Sequence, residues 1–195
     1  MDVPAPTMPS TPDGRYSAEQ YLRLVDDGVL GPDDRVELLE GVVVAMAAQN
    51  SPHASGVARA NHALFVAVAD RAVVRTQLTF VAGEYSVPEP DIAVVPGRYA
   101  DYDRVHPHTA LLIVEVADTS LVQDRLTKTA IYAAAGIPEY WIVDIRGQRV
   151  EVYREPIANE RRYRGCAFAH RGDGLELAAL PGASVAVDDL LPIIG

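Results

Sequence analysis

The sequence predicts an α/β (α+β) fold: a mixed central β-sheet flanked by helices, with additional β elements towards the N- and C-terminal ends. Three observations support this. Short runs rich in Val, Ile and Leu recur at 73–81, 87–95, 111–117, 140–145 and 149–154, the composition of strands. The run 111–117 is nearly all apolar, the mark of a strand covered on both faces and so central in its sheet. Segments with helical spacing alternate with these strands, which puts helices on the faces of the sheet.

In chain order, Ser17 and Gln20 have the spacing of a capping box, and Tyr21, Leu22, Leu24 and Val25 recur helically until Gly28. Residues 35–46 place β-branched residues on both sides of Glu40-Gly41, which predicts a hairpin. Ser51 and Pro52 suit the N-cap and first position of a helix running to about Asp70, with Val57, Asn61, Leu64 and Val68 along one side. Two strands, 73–81 and 87–95, follow around Gly83, and then a loop over 97–109. After the central strand a helix spans 123–135, with Ala130, Ala133 and Ala134 lining one side and Gly136 ending it. Strands 140–145 and 149–154 flank the turn 146–148, and further β signals lie beyond Arg162.

At 195 residues the chain fits one domain with a sizeable core. The expected division is a disordered, Pro-rich tail at 1–14 and a single domain at 15–195. The tail lacks the charged and apolar regions of a targeting peptide, and no run reaches the ~18 apolar residues of a membrane helix. One cysteine, Cys166, allows no internal disulfide and fits a cytoplasmic protein. The net charge of −10 argues against broad binding of a phosphate backbone. Between Trp141 and Arg171, however, seven Arg face four acids; a local basic face or edge strands kept soluble by Arg both explain this.

Candidate chemistry centres on two carboxylates. Asp91 and Glu115 stand at the ends of strand-like apolar runs, where an ionised acid costs several kcal/mol to bury without a compensating cation or donors. Adjacent strands lie about 4.8 Å apart, so the two acids can share one ion. Mg²⁺ takes hard oxygen ligands and keeps several waters, so Asp91, Glu115, the carbonyl of Val116 and Glu37 from the hairpin suffice as a donor set. Lys128 is the one lysine among sixteen arginines and follows the strand bearing Glu115; unlike Arg, a Lys can shift its pKa. Asp124 lies one turn before it, and a solvated intrahelical pair of ~0.3–0.5 kcal/mol is the plainer reading of that spacing. His53 at a helix start is a secondary candidate for phosphate contact, and Gln77 for orienting a water. His62, His106 and His108 have no metal-ligand partners in sequence, and Tyr132 and Trp141 read as packing residues.

The segments 37–41, 89–95 and 113–116, Asp124 to Lys128, and Tyr132 through 136–144 together resemble the Uma-type family of restriction-endonuclease-like proteins, within the PD-(D/E)XK nuclease superfamily. The resemblance spans about Tyr16 to Tyr153. It implies a restriction-endonuclease-like core and an acidic metal site of Glu37, Asp91 and Glu115. The superfamily's lysine position, two residues after Glu115, is Ala117 here, and the resemblance implies that Lys128 stands in for it. The leading expectation is an Mg²⁺- or Mn²⁺-dependent endonuclease that hydrolyses DNA. The alternatives are a catalytically inactive nuclease-fold interaction module, acting as a homodimer, or a hydrolase of a smaller phosphoester.

Overall fold

The computed structural model describes residues 14–31 and 33–193; the expected tail, apart from Gly14, lies outside them. Helix α1, Ala18–Asp26, starts with the reciprocal cap read from the sequence: the Gln20 amide donates to Ser17 Oγ, and the Ser17 amide to Gln20 Oε1. Strands β1, Val36–Leu39, and β2, Val42–Ala45, form the hairpin. Glu40 and Gly41 both take positive φ, 55° and 85°, the turn whose twist matches that of the strands it joins. Helix α2 runs over Ser51–Val68, but its cap is Asn50 rather than Ser51. The Asn50 side-chain oxygen accepts from the His53 amide at 3.0 Å, which moves the cap one residue upstream.

Among the described residues the main sheet has six strands, β3 (Val73–Thr76), β4 (Ile92–Val95), β5 (Leu112–Ala117), β6 (Glu139–Asp144), β7 (Arg149–Ile157) and β8 (Arg162–His170), in that spatial order. Only the β5–β6 pair is parallel, so the chain between them must cross a face of the sheet. It crosses as the site helix, whose parts are α-helical over Leu121–Gln123, a wider π turn over Asp124–Lys128, and α-helical again over Thr129–Ala134. As expected, β5 is central and buried throughout.

Strands β3 and β4 are shorter than the sequence pattern predicts. Gln77 turns to φ 51° and donates its amide to Pro90 O and Asp91 O, which ends β3. Pro88 and Pro90 have no N–H to give a ladder, so residues 87–91 stay irregular apart from a bridge between Val87 and Leu38. The site helix also differs: Ile131, Tyr132 and Ala133 face the core, whereas Ala134 is exposed. A short ribbon, β9 (Gly174–Glu176) with β10 (Ser184–Ala186), and the helical turn Val187–Leu190 close one end.

Side-chain alternation assigns the two faces. Ile92, Val94, Leu112, Val114 and Val116 pack with α2, while Ala93, Val95, Ile113 and Ala117 pack under the site helix. Asp91 and Glu115 share the parity of the second set. Close approach of α2 to β5 depends on Gly56, where a Cβ would lie 2.7 Å from Val116 Cγ1. Overpacking of this kind costs about 1–3 kcal/mol, against a helix-propensity gain near 1 kcal/mol for Ala over Gly. Gly56→Ala is therefore expected to lower stability by about 1 kcal/mol net in urea unfolding, and a raised midpoint would refute the close approach.

Candidate active site

The site forms where β4 and β5 meet beneath the site helix. Ile92 pairs with Val114, so Asp91, one step beyond the ladder, falls opposite Glu115, and its amide lies 3.4 Å from Glu115 Oε2. Glu37, on β1, reaches the same place: its Oε2 lies 3.3 Å from the Glu89 amide and 3.5 Å from Lys128 Nζ. Lys128 Nζ also donates to Glu115 Oε1 at 3.0 Å, so one ammonium joins two of the acids. The structure thus brings Glu37, Asp91, Glu115 and Lys128 into one pocket, lined also by Glu89, Asp124 and His53.

Lys128 is placed by the π turn. The Asp124 carbonyl accepts from the Thr129 amide, from Thr129 Oγ1 at 2.8 Å and from Tyr140 Oη at 3.3 Å, and these donors favour the wider turn over an ordinary α-helical one. Asp124 and Lys128 both face inward and are 2% and 7% exposed, which rules out the solvated pair. Asp124 accepts from Ser120 Oγ at 2.6 Å instead. Ala117 lies on the same sheet face as Glu115, and Lys128 reaches that face from the helix above it.

The secondary candidates gather around Asp91. Gln77 Nε2 donates to Asp91 Oδ1 at 3.1 Å, and the Val116 amide to Oδ2 at 2.8 Å. His53 Nε2 lies 3.2 Å from Oδ2, and its Nδ1 is buried without a hydrogen-bond partner. Val116 meets Asp91 through its amide. Tyr132, read from sequence as packing, also donates to Glu115 Oε1 at 2.8 Å. The signal for this was present: Tyr132 stands four residues after Lys128, on the same helix face. Glu89, at the start of the segment 89–95, has no role legible in the sequence, yet it also lines the pocket.

Electrostatics divides these acids. Burial pushes Asp91 up, but the His53 hydrogen bond and charge, the Val116 amide and Gln77 outweigh it, leaving the carboxyl below its ordinary value. Burial dominates at Glu115, and despite Lys128 the charges of Asp91, Asp124 and Glu37 help push it up to about 8. Asp124 and Glu89 are raised too, chiefly by burial. Burial pulls Lys128 down, but Glu115, Glu37 and Asp124 overcome it and hold the ammonium protonated. The His53 bond to Asp91 raises the imidazole.

These residues fit a hard divalent cation by donor chemistry: carboxylate oxygens in excess over cations, around a cavity of about 80 Å³, room for several waters. As the side chains stand, no group of three or more His, Cys, Asp or Glu among the described residues has the spacing to hold a metal ion. Lys128 Nζ lies between Glu37 and Glu115, so a cation shared by all three acids requires it to move aside.

A family model for Uma2, described as "Putative restriction endonuclease", matches residues 18–188. A solved structure described as a putative nuclease of DUF820, from Anabaena variabilis ATCC 29413, is similar over 90% of this chain and 97% of its own, with 16% identity and a TM-score of 0.71. That likeness is one of fold. The type IIG restriction endonuclease BpuSI overlaps 52% of this chain and 11% of its own length, with 18% identity and a TM-score of 0.36. No curated protein matches. Among the described residues no helix is long and apolar enough to cross a membrane.

Proposed function

The chain belongs to the Uma2 family, and from that premise we propose that it hydrolyses DNA phosphodiester bonds with the aid of Mg²⁺ or Mn²⁺. The observation that carries this reading is the convergence of buried Glu37, Asp91 and Glu115 on one sheet face with a single lysine among them. Asp91 and Glu115, with Glu37 and the Val116 carbonyl, would hold the cation. When bound, it supplies positive charge for the phosphate and makes water more acidic.

The protein's own groups divide the remaining work. Gln77, His53 and the Val116 amide fix the Asp91 carboxylate, and Tyr132 with Lys128 fixes that of Glu115. Because Lys128 stays protonated, it serves as a donor and a charge towards the attacking water or the phosphate, not as a proton acceptor. Asp124 lines the same pocket with a raised pKa, which suits it to take a proton from water. Purified protein is expected to cleave plasmid or oligonucleotide DNA in Mg²⁺ or Mn²⁺ and to stop in EDTA. Absence of cleavage over a broad substrate panel, with the cation bound, would overturn the activity.

Proton competition makes the cation site pH-dependent. Glu115 must lose its proton to act as a ligand, so Mn²⁺ affinity should rise with pH up to about 8 and then level off. Calorimetry in buffers of different ionisation enthalpy should show proton release near pH 7; a flat profile would remove Glu115 from the ligand set.

One observation favours a second reading, that of a nuclease-fold module without activity. Each of the seven arginines between Trp141 and Arg171 is ion-paired, so that stretch adds little net positive surface for a phosphate backbone. Such a module, for example a homodimer, would show no Mn²⁺ binding at Asp91.

A further inference from the structure

Next to the acid pocket lies a second cavity of about 520 Å³, within the size range of small-ligand sites, and the cleavage chemistry makes no use of it. Part of its lining is apolar: Leu22 and Val25 from α1, Leu30 after it, and Val36 and Met46 from the hairpin. Polar side chains line it as well: Asp34, Arg35, Thr79, Glu89 and His106. Arg35, Met46 and Glu89 line both cavities, so the two are adjacent. Tyr21, in the second cavity, feels the charges of Glu89 and Glu37, which supports the same adjacency. Arg35 is exposed at the junction, where a cation can meet a phosphate passing from one cavity to the other.

A net charge of −10 and an ion-paired arginine stretch leave little of the broad phosphate neutralisation on which ordinary duplex binding rests. Local contacts must then hold the strand. A cavity lined by apolar side chains together with hydrogen-bond donors and acceptors suits a flat base with a hydrogen-bonding edge. A base stacked in a duplex cannot enter a recess unless it is extruded, at a cost of a few kcal/mol.

We infer that this cavity receives an unpaired nucleobase of the DNA strand whose phosphodiester lies in the acid pocket, so that the chain prefers single-stranded DNA to intact duplex. The inference rests on the nuclease reading, but its test does not require cleavage. Val25 lines the cavity, is 45% exposed and is absent from the lining of the acid pocket, so Val25→Trp fills the recess without disturbing the carboxylates. Val25→Phe, a smaller filling, guards against misfolding of the first variant.

Fluorescence anisotropy in EDTA would compare a short fluorescein-labelled single strand with the same sequence as duplex. The single strand is expected to bind about tenfold more tightly, in line with one sequestered base. Val25→Trp should lose about that factor for the single strand alone, Val25→Phe part of it, and both variants should bind Mn²⁺ as the unaltered protein does. Equal affinity for single strand and duplex, or unchanged single-strand binding by a folded Val25→Trp, overturns the inference even if DNA is cleaved. If no DNA is cleaved but the anisotropy pattern holds, the cavity assignment stands and the catalytic reading falls.

Discussion

Asp91→Asn is expected to lower metal-dependent DNA cleavage by a factor on the order of a thousand, the scale of losing one charge-stabilising group from an active site, while the protein stays folded. The substitution preserves the shape of the side chain but removes its charge. It also turns one oxygen that accepts from Gln77, His53 or the Val116 amide into a donor. The resulting mismatch costs about 1–3 kcal/mol, offset in part because the Asp91 charge no longer raises Glu115. Nicking rates in Mg²⁺, read beside circular dichroism, test this. A folded variant that cuts within tenfold of the original rate would remove Asp91 from the chemistry.

Lys128→Met is expected to have the largest effect on stability. The ammonium lies within 3.5 Å of carboxylate oxygens of both Glu37 and Glu115, and breaking a buried pair by removing one partner costs about 3–5 kcal/mol. The penalty depends on pH. Folded Glu115 keeps its proton up to about 8, whereas the unfolded chain loses it near its ordinary value of 4.5. Its contribution to stability is therefore fully present below the lower value and is lost as pH rises towards 8. Without Lys128 the carboxyl rises further, so the deficit of the variant should be large at pH 8 and shrink towards pH 5. Added Mn²⁺ should raise the melting temperature of the variant more than that of the unaltered protein. Equal stability of the two proteins at pH 8 would contradict the buried charge network.

Much of this arrangement was legible in the sequence because it depends on local chemistry. The Ser17–Gln20 cap, the Glu40-Gly41 turn and the nearly all-apolar β5 follow from residue types at fixed spacings, and the structure contains all three. Asp91 and Glu115 stood out because an acid within an apolar strand needs a partner. What was not legible arises from tertiary contacts. Strands 73–81 and 87–95 looked longer because periodicity does not register the positive φ of Gln77 or the missing amides of Pro88 and Pro90. The π turn is invisible to a spacing rule built on α-helices, since its cause, Tyr140 and Thr129 on the Asp124 carbonyl, comes partly from a strand twelve residues beyond Lys128. Tyr132 hid its hydroxyl behind an ordinary packing role.

A crystal soaked in Mn²⁺ tests the proposed cation site most directly. Anomalous density is expected as one peak between the carboxylates of Asp91 and Glu115, absent from Asp91→Asn crystals treated alike. A well-ordered site without that peak, or manganese bound only elsewhere on the surface, would contradict a metal-dependent nuclease centre in this pocket.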